Sequence, residues 1–376
     1  MIFGGGFTEG DYRARRLRDG SAEILKYTGA EADLRIPGVL GGLPVTRIGK
    51  LAFQGNKTLK YAVIPDSVRE IGRRAFGLCE CLARISLPAG LETVAEELFF
   101  GCSALTAAEL PESVREIGDS AFFGCPALTR VRMPRQLVRV GEAAFSGCVS
   151  LAAVDLPDSV REIGPLAFFE CRSLGGVVLP AGLTRVERSA FGRCEHLETA
   201  EIGAGIDELQ SRAFADCRRL REVRFPPGLR KIGKDCFSGC AGLTRAVLRD
   251  GLKLLEDRAF AGCGALAELI LPDSLDYIGD EAFAGCKALR ELTLPAHLRL
   301  IGSGAFRGCS GLTRLAIPAG ADQIFPEAFA DCGDLVLSVV SGSPAEQYCV
   351  DWHLPHDARP EDTENFKKTP LPPCNP

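Results

Sequence analysis

REIGDSAFFGC, residues 115–125, recurs with few changes as REIGRRAFGLC at 69–79, REIGPLAFFEC at 161–171 and YIGDEAFAGC at 277–286. Counting from Phe53 in steps of 23 meets Phe76, Phe99, Phe122, Phe145, Phe168, Phe191, Phe214, Phe237, Phe260, Phe283, Phe306 and Phe329 without an insertion. Leucine keeps the same step from Leu59 to Leu335, and cysteine from Cys79 to Cys332, with Asn56 at that place in the first unit. Thirteen units in register override the two or three domains that 376 residues would otherwise suggest, because tandem repeats extend one core instead of starting new ones.

Each unit reads L-x-x-A/V/I-x-L-P-x-x-L/V-x-x-I-G-x-x-A-F-x-G-C. Leu128, Val131 and Met133 alternate with polar neighbours, as do Leu289, Leu292 and Leu294, and period-2 alternation marks a short strand with one buried face. A proline such as Pro65, Pro111, Pro157 or Pro272 stops the strand, with Gly203 and Arg249 as exceptions, since proline has no N–H to continue a ladder. Val114 and Ile117 then point back inward. Gly118 followed by Asp119 predicts a single helical turn carrying Ala121 and Phe122, with acidic or hydroxyl side chains near its start to meet orphan N–H groups. Such a unit buries no face alone and must stack on its copies at about 4.8 Å per step, a rod or arc of about 60 Å. The expected fold is an α/β-type repeat solenoid of about 13 coils, with one short parallel strand and one short helical turn per coil.

The recurring L-x-x-[IVA]-x-[LI]-P…[LV]-x-x-I-G-x-x-A-F-x-G-C resembles the BspA-type leucine-rich repeats of bacteria and some protists, over about residues 21 to 352. The resemblance implies a right-handed horseshoe or superhelix and, as in several relatives, a surface protein that binds host or bacterial partners.

An open stack exposes an apolar face at each end, so both ends need caps. Residues 1–37 are expected to be an N-terminal cap with a two-residue hairpin at Asp19-Gly20, leading into Leu34, Ile36 and Pro37. The solenoid is expected over 38–340. Residues 341–356 are expected to hold a capping helix, with Ser343 as N-cap, Pro344 at the first position and Glu346 at the third. Its apolar side would be Ala345, Tyr348, Cys349 and Trp352. Residues 357–376, rich in proline and charge, are expected to be a flexible tail.

The sixteen cysteines invite a metal or disulfide reading, but twelve follow the repeat step and read as buried packing residues with a weak S–H donor. Cys81 and Cys236 lie off that row, and Cys236 replaces the alanine of A-F. Cys349, His353 and His356 have a spacing that could present metal ligands, though Cys349 is equally a cap residue. His196 and His297 sit alone and are expected to face solvent. The GGG at 4–6 lacks a following lysine in phosphate-loop register. An enzyme would need a nucleophile with a base, or a carboxylate pair, gathered in a few units that break the pattern. No unit shows this, and neither a catalytic residue nor a cofactor is implied.

Net charge is −5, from 44 basic and 49 acidic residues, so no overall field favours nucleic acid or an anionic membrane. No run of about 18 apolar residues predicts membrane insertion. The opening residues lack a basic segment followed by an apolar one, and unpaired thiols suit a reducing compartment. Both suggest the cytoplasm, whereas the family resemblance suggests the cell surface or secretion.

The buried letters of a solenoid are fixed and the outward letters are free, so recognition must be written in the latter. On the strand face these include Arg130, Arg132, Glu198, Glu201, Arg221, Glu222, Arg224, Arg245, Glu268, Arg290 and Glu291, interrupted by the small patch Gly175, Gly176 and Val178. The column Arg69, Glu92, Arg115 alternates sign and is expected to help by attraction between coils. The reading is a non-catalytic scaffold that binds a protein or peptide through this face. The alternative is a metal- or carbohydrate-binding module, although few outward aromatics are available to stack on a sugar.

Overall fold

The computed structural model describes residues 6–360. Each coil contributes two short strands to two separate parallel ladders. The first ladder uses the predicted strand: Val131 is buried between exposed Arg130 and Arg132, and pairs in register with Ala108 one unit back. Where the strand is shortest it shrinks to a single bridge, Arg130 to Ala153 and Thr293 to Ala316.

The second ladder was not expected. It is built from the two residues before the position of Gly118 and its equivalents, Glu116–Ile117 in one coil and Arg139–Val140 in the next, paired in parallel. Seven such strands run continuously from Arg185–Val186 to Gln323–Ile324. Each places one apolar residue inside, and Ile117, Val140 and Ile163 are all buried.

The helical turn predicted for every coil is absent. The only α-helix among the described residues is Pro344–Asp351, so the fold is an all-β solenoid closed by one helix, not an α/β repeat. Two left-handed residues per coil forbid the helix: in the coil of Phe122 they are Ser120 at φ 54° and Gly124 at φ 66°. Their amides show the alternative. Ala121, Phe123 and Cys125 donate to local carbonyls three residues back, while Phe122 and Gly124 donate to Ala144 and Ser146 of the next coil. A helix would direct all of these bonds along itself. Here every second one joins neighbouring coils, so the turns form a third hydrogen-bonded seam.

The coil number depends on the row counted. Phenylalanine gives thirteen, but the first ladder begins earlier, at Asp33–Arg35 paired with Tyr61–Val63. It also continues past Phe329 through Val336–Val340 and His356–Arg359.

The core consists of rows. Phe53 to Phe306 are almost wholly buried and Phe329 is 4% exposed. Consecutive rings stack face to face, with centroids between 4.8 Å for Phe53–Phe76 and 6.2 Å for Phe76–Phe99. Tyr27 and Tyr12 extend the column at its start, and Tyr348 and Trp352 extend it at its end.

The cysteine row has a definite bonding role. Cys125 Sγ–H donates to the Phe99 carbonyl at 3.2 Å, and Cys148 Sγ–H to the Phe122 carbonyl at 3.2 Å. The pattern holds for all twelve, from Cys79 on Phe53 to Cys332 on Phe306. The same carbonyl also accepts the N–H of the cysteine in its own coil, as Phe99 O accepts from Cys102 N at 3.1 Å. A small side chain with one donor and little hydration cost meets this place. Asn56, which lacks a preceding coil of this type, donates instead to the Gly29 carbonyl at 3.0 Å.

At the N-terminal end β1 (Gly6–Glu9), β2 (Tyr12–Arg16) and β3 (Ala22–Tyr27) form an antiparallel meander, and β3 passes in parallel into Leu43–Ile48 of the second ladder. The loop after β2 is longer than the two residues expected: Leu17 N donates to Ser21 O at 2.8 Å, and the Asp19 carboxylate accepts from Ser21 N at 2.9 Å. The two-residue turn lies earlier, at Gly10-Asp11 between paired Glu9 and Tyr12.

At the other end Ser343 Oγ accepts from Glu346 N at 3.3 Å, while the Glu346 carboxylate reaches back to Gly342 N at 2.6 Å. Ala345, Tyr348 and Cys349 are buried, but Trp352, expected on the same side, is 45% exposed. Residues 357–359, expected at the head of a flexible tail, belong to the strand His356–Arg359. The rest of that segment, from 361 on, and Gly4 and Gly5 of the GGG lie outside the described residues.

Candidate interaction surface

The first ladder presents the strand face from which binding was expected. Arg130, Arg132, Glu198, Glu201, Arg221, Glu222, Arg224, Arg245, Glu268, Arg290 and Glu291 are all exposed. The 23-residue register sets Glu201 beside Arg224, and Glu222 beside Arg245 beside Glu268. Ion pairs follow: Arg224 with Glu222 at 3.2 Å and Glu201 at 3.5 Å, Arg245 with Glu268 at 2.8 Å, and Arg132 with Glu112 at 3.2 Å. All are solvated, so each contributes about 0–1 kcal/mol.

Among the described residues, Arg130, Glu198, Arg221, Arg290 and Glu291 form no ion pair. These side chains do not converge on a pocket. They are spread over separate rungs, Arg130 and Glu198 lying three steps or about 14 Å apart at the ladder spacing. Between them Val178 is 62% exposed on a strand whose neighbour carries Glu201.

The second ladder carries charges that went unnoticed because its strand did. Arg139 holds Glu116 at 2.8 Å, Asp119 at 2.9 Å and Glu162 at 3.3 Å, and Lys231 holds Glu256 at 2.9 Å and Glu208 at 3.2 Å. The sequence signal is the sign alternation from Glu116 to Lys231 at the residue before each inward Ile, Val or Leu. The column read instead, Arg69, Glu92 and Arg115, lies one residue away and forms no ion pair among the described residues. Arg69 donates to the Val68 carbonyl at 3.3 Å and Arg115 to the Gln136 side chain at 3.0 Å.

Among the described residues, Cys349, His353 and His356 are not brought together as metal ligands. Cys349 is fully buried, His353 sits at φ 53°, and His356 Nδ1 is engaged with the Leu354 carbonyl at 2.9 Å. No group of three or more His, Cys, Asp or Glu among the described residues is placed to hold a metal ion.

The described cysteines are all free thiols. Burial pushes Cys79 and Cys332 up to about 11 and Cys263 and Cys309 up to about 12, and it holds Cys102, Cys125, Cys148, Cys171 and Cys286 well above the ordinary thiol value. The thiolate is the nucleophilic form, so these side chains are inert at neutral pH. No described helix is long and apolar enough to cross a membrane.

Two stacked parallel ladders, a buried phenylalanine column and outward-facing variable strands define a leucine-rich repeat solenoid. The profile of the BspA type leucine rich repeat region, in six copies, matches residues 43–152, 138–266 and 253–339, and the chain belongs to that family. Among solved structures it is similar to a leucine-rich repeat protein from Bacteroides ovatus, at 25% identity over 94% of this chain and 99% of that one, TM-score 0.61. It is also similar to a leucine rich cell surface protein from Faecalibacterium prausnitzii, at 28% identity over 92% and 97%, TM-score 0.53. The pneumococcal vaccine antigen PcpA shares the fold at 21% identity over 96% and 100%, TM-score 0.65. A comparison with curated proteins found no match.

Proposed function

We propose that the chain is a non-catalytic scaffold that binds a protein or peptide through the exposed face of the first ladder. The observation that carries this reading is the division of each coil: inward positions repeat, while the outward pair on each strand changes from Arg130 and Arg132 to Gly176 and Val178, then to Glu222 and Arg224. A rigid parallel ladder fixes these side chains at constant spacing, so a partner meets an ordered strip with little ordering cost on the scaffold side. The arginines that form no ion pair among the described residues, Arg130, Arg221 and Arg290, are the anchors expected to contribute most. Residues 1–37 and 341–356 serve in this reading to close the ends of 38–340. The Faecalibacterium relative, a cell surface protein, supports display outside the cell, where the binding face proposed here would serve adhesion.

Capture from extracts and surface fractions of the native host and its neighbours tests the proposal. Arg130→Glu with Arg221→Glu is expected to weaken capture at least tenfold, while Lys253→Glu, just before the second-ladder strand Leu254–Leu255, leaves it unchanged. Thermal midpoints should agree among all three proteins, since none of these side chains is buried. Equal capture by the double variant would remove the first ladder from consideration.

A further inference from the structure

Within the stack, ion pairs run from one coil to the next, as from Arg139 to Glu116 and Glu162 and from Arg245 to Glu268. The coils at the two ends have a neighbour on one side only, and the charge left over there has opposite sign. Residues 6–60 hold ten basic and six acidic side chains, residues 320–360 one basic and seven acidic, and the stretch between them thirty-one and thirty-three. One other cationic stretch, 211–260, has twelve basic and six acidic.

At the N-terminal end β1 is the outermost strand of its sheet, so its far edge carries backbone N–H and C=O groups with no rung beyond them. Arg13 on β2 and Lys26 on β3 are partners in register, two like charges set directly opposite each other, which costs stability that a carboxylate from outside would restore. Arg13, Arg16, Arg18 and Lys26 are exposed and form no ion pair among the described residues.

At the other end the strand His356–Arg359 is outermost. Trp352 is the last ring of the aromatic column, 6.1 Å from Tyr348, with Phe325 and Val350 exposed in the same segment. A cavity of about 490 Å³ opens among Glu327, Asp331, Tyr348 and Trp352. Glu327 holds Arg307, whereas Asp322, Asp331, Asp334 and Asp351 form no ion pair among the described residues. An indole beside a carboxylate suits a guanidinium, which stacks on the ring while its N–H groups reach the oxygens.

We propose that the acidic end of one molecule docks on the basic end of a second copy of this chain, with an arginine of the segment 13–18 in the Trp352 cavity. The contact is heterologous, so it repeats into head-to-tail rows. It is independent of the strand-face reading, which Arg130 and Arg221 test separately.

Trp352 is the only tryptophan of the chain, so its emission reports this end alone. As the concentration of the full chain rises in about 20 mM salt, the sedimentation coefficient is expected to grow, Trp352 emission to move to shorter wavelength and its quenching by acrylamide to fall at least twofold; about 0.5 M salt is expected to weaken association at least tenfold. Asp331→Arg with Asp351→Lys, and separately Arg13→Glu with Arg16→Glu, are each expected to sediment as monomers. Arginine fits at 331, since Arg193 holds the equivalent place six units earlier at φ 58° against 59° for Asp331. Mixed in equal amounts the two variants are expected to pair, because the untouched basic end of one meets the untouched acidic end of the other; pairing also shows both to be folded. If either variant fails to fold, the wild-type salt and emission series decides. A wild-type chain that stays monomeric in low salt, association that leaves Trp352 emission unchanged, or association lost in only one double variant, as docking on 211–260 or of one end on itself would give, would overturn the proposal.

Discussion

Phe191→Ala is expected to lower unfolding free energy by about 3–5 kcal/mol, the range for removing a large buried aromatic side chain. Phe191 is completely buried, with Phe168 at 5.3 Å and Phe214 at 5.4 Å on its two faces. Removing it forfeits two ring contacts as well as the burial of the ring, and no neighbouring coil can move in without breaking its own ladder. Stability in a solenoid is a sum of unit terms and nearest-neighbour terms. The damage is therefore expected at one interface, splitting a single urea transition into two as the halves on either side unfold separately. Phe123→Ala, at a ring that stays 37% exposed, should cost less, about 2 kcal/mol by the area it buries. Urea unfolding followed by far-ultraviolet circular dichroism reads both variants. Equal midpoints for Phe191→Ala and wild type would mean that the column does not hold the coils together.

The second large effect is alkaline collapse in the presence of a reductant. In the unfolded chain the thiols titrate near 9.0, whereas burial holds the folded-state values of Cys79 and Cys332 near 11 and those of Cys263 and Cys309 near 12. A raised folded value means the native state keeps protons that the unfolded state releases. Its stabilising contribution is intact below about pH 9 and is lost as pH rises through the folded values. Each such thiol gives a slope of about 1.4 kcal/mol per pH unit. Together these four thiols give a slope of about 5 kcal/mol per pH unit. The protein is expected to unfold cooperatively between about pH 9 and 11, with thiolate absorbance appearing in the same narrow interval as the loss of circular dichroism. Thiolate absorbance rising gradually while the dichroism persists would show that the row is reachable by solvent in the folded state.

The fold was legible in the sequence to the extent that side chains obey a period. Phe, Leu and Cys rows, the strand ended by proline and the Ser343 cap could all be placed from residue type and spacing. What escaped was backbone conformation. Ser120, Ala143 and Leu166 are ordinary L-residues held at positive φ, and nothing in their side chains announces it. Hydrogen bonds from Phe122 N and Gly124 N to the next coil stabilise that conformation, so a segment with fair helical composition becomes a run of turns. Glu116–Ile117 escaped because two residues are too few for alternation to register, and only the stacking of many copies makes a ladder of them. The binding surface was legible as a set of exposed letters but not as a pattern of free and paired charges. Arg224 looked like Arg221 in sequence, and only the register that sets Glu201 beside it separates the two.

Both ladders and the turn seam advance by the same 23 residues in the regular region. Unequal recombination within the coding sequence that adds or removes one whole block therefore lengthens or shortens the molecule while every retained junction meets an equivalent neighbour. A gain or loss of any other size throws all three seams out of step at once. Such a chain can vary its reach from lineage to lineage, and reshuffle which outward residues stand next to each other, without first acquiring compensating changes inside.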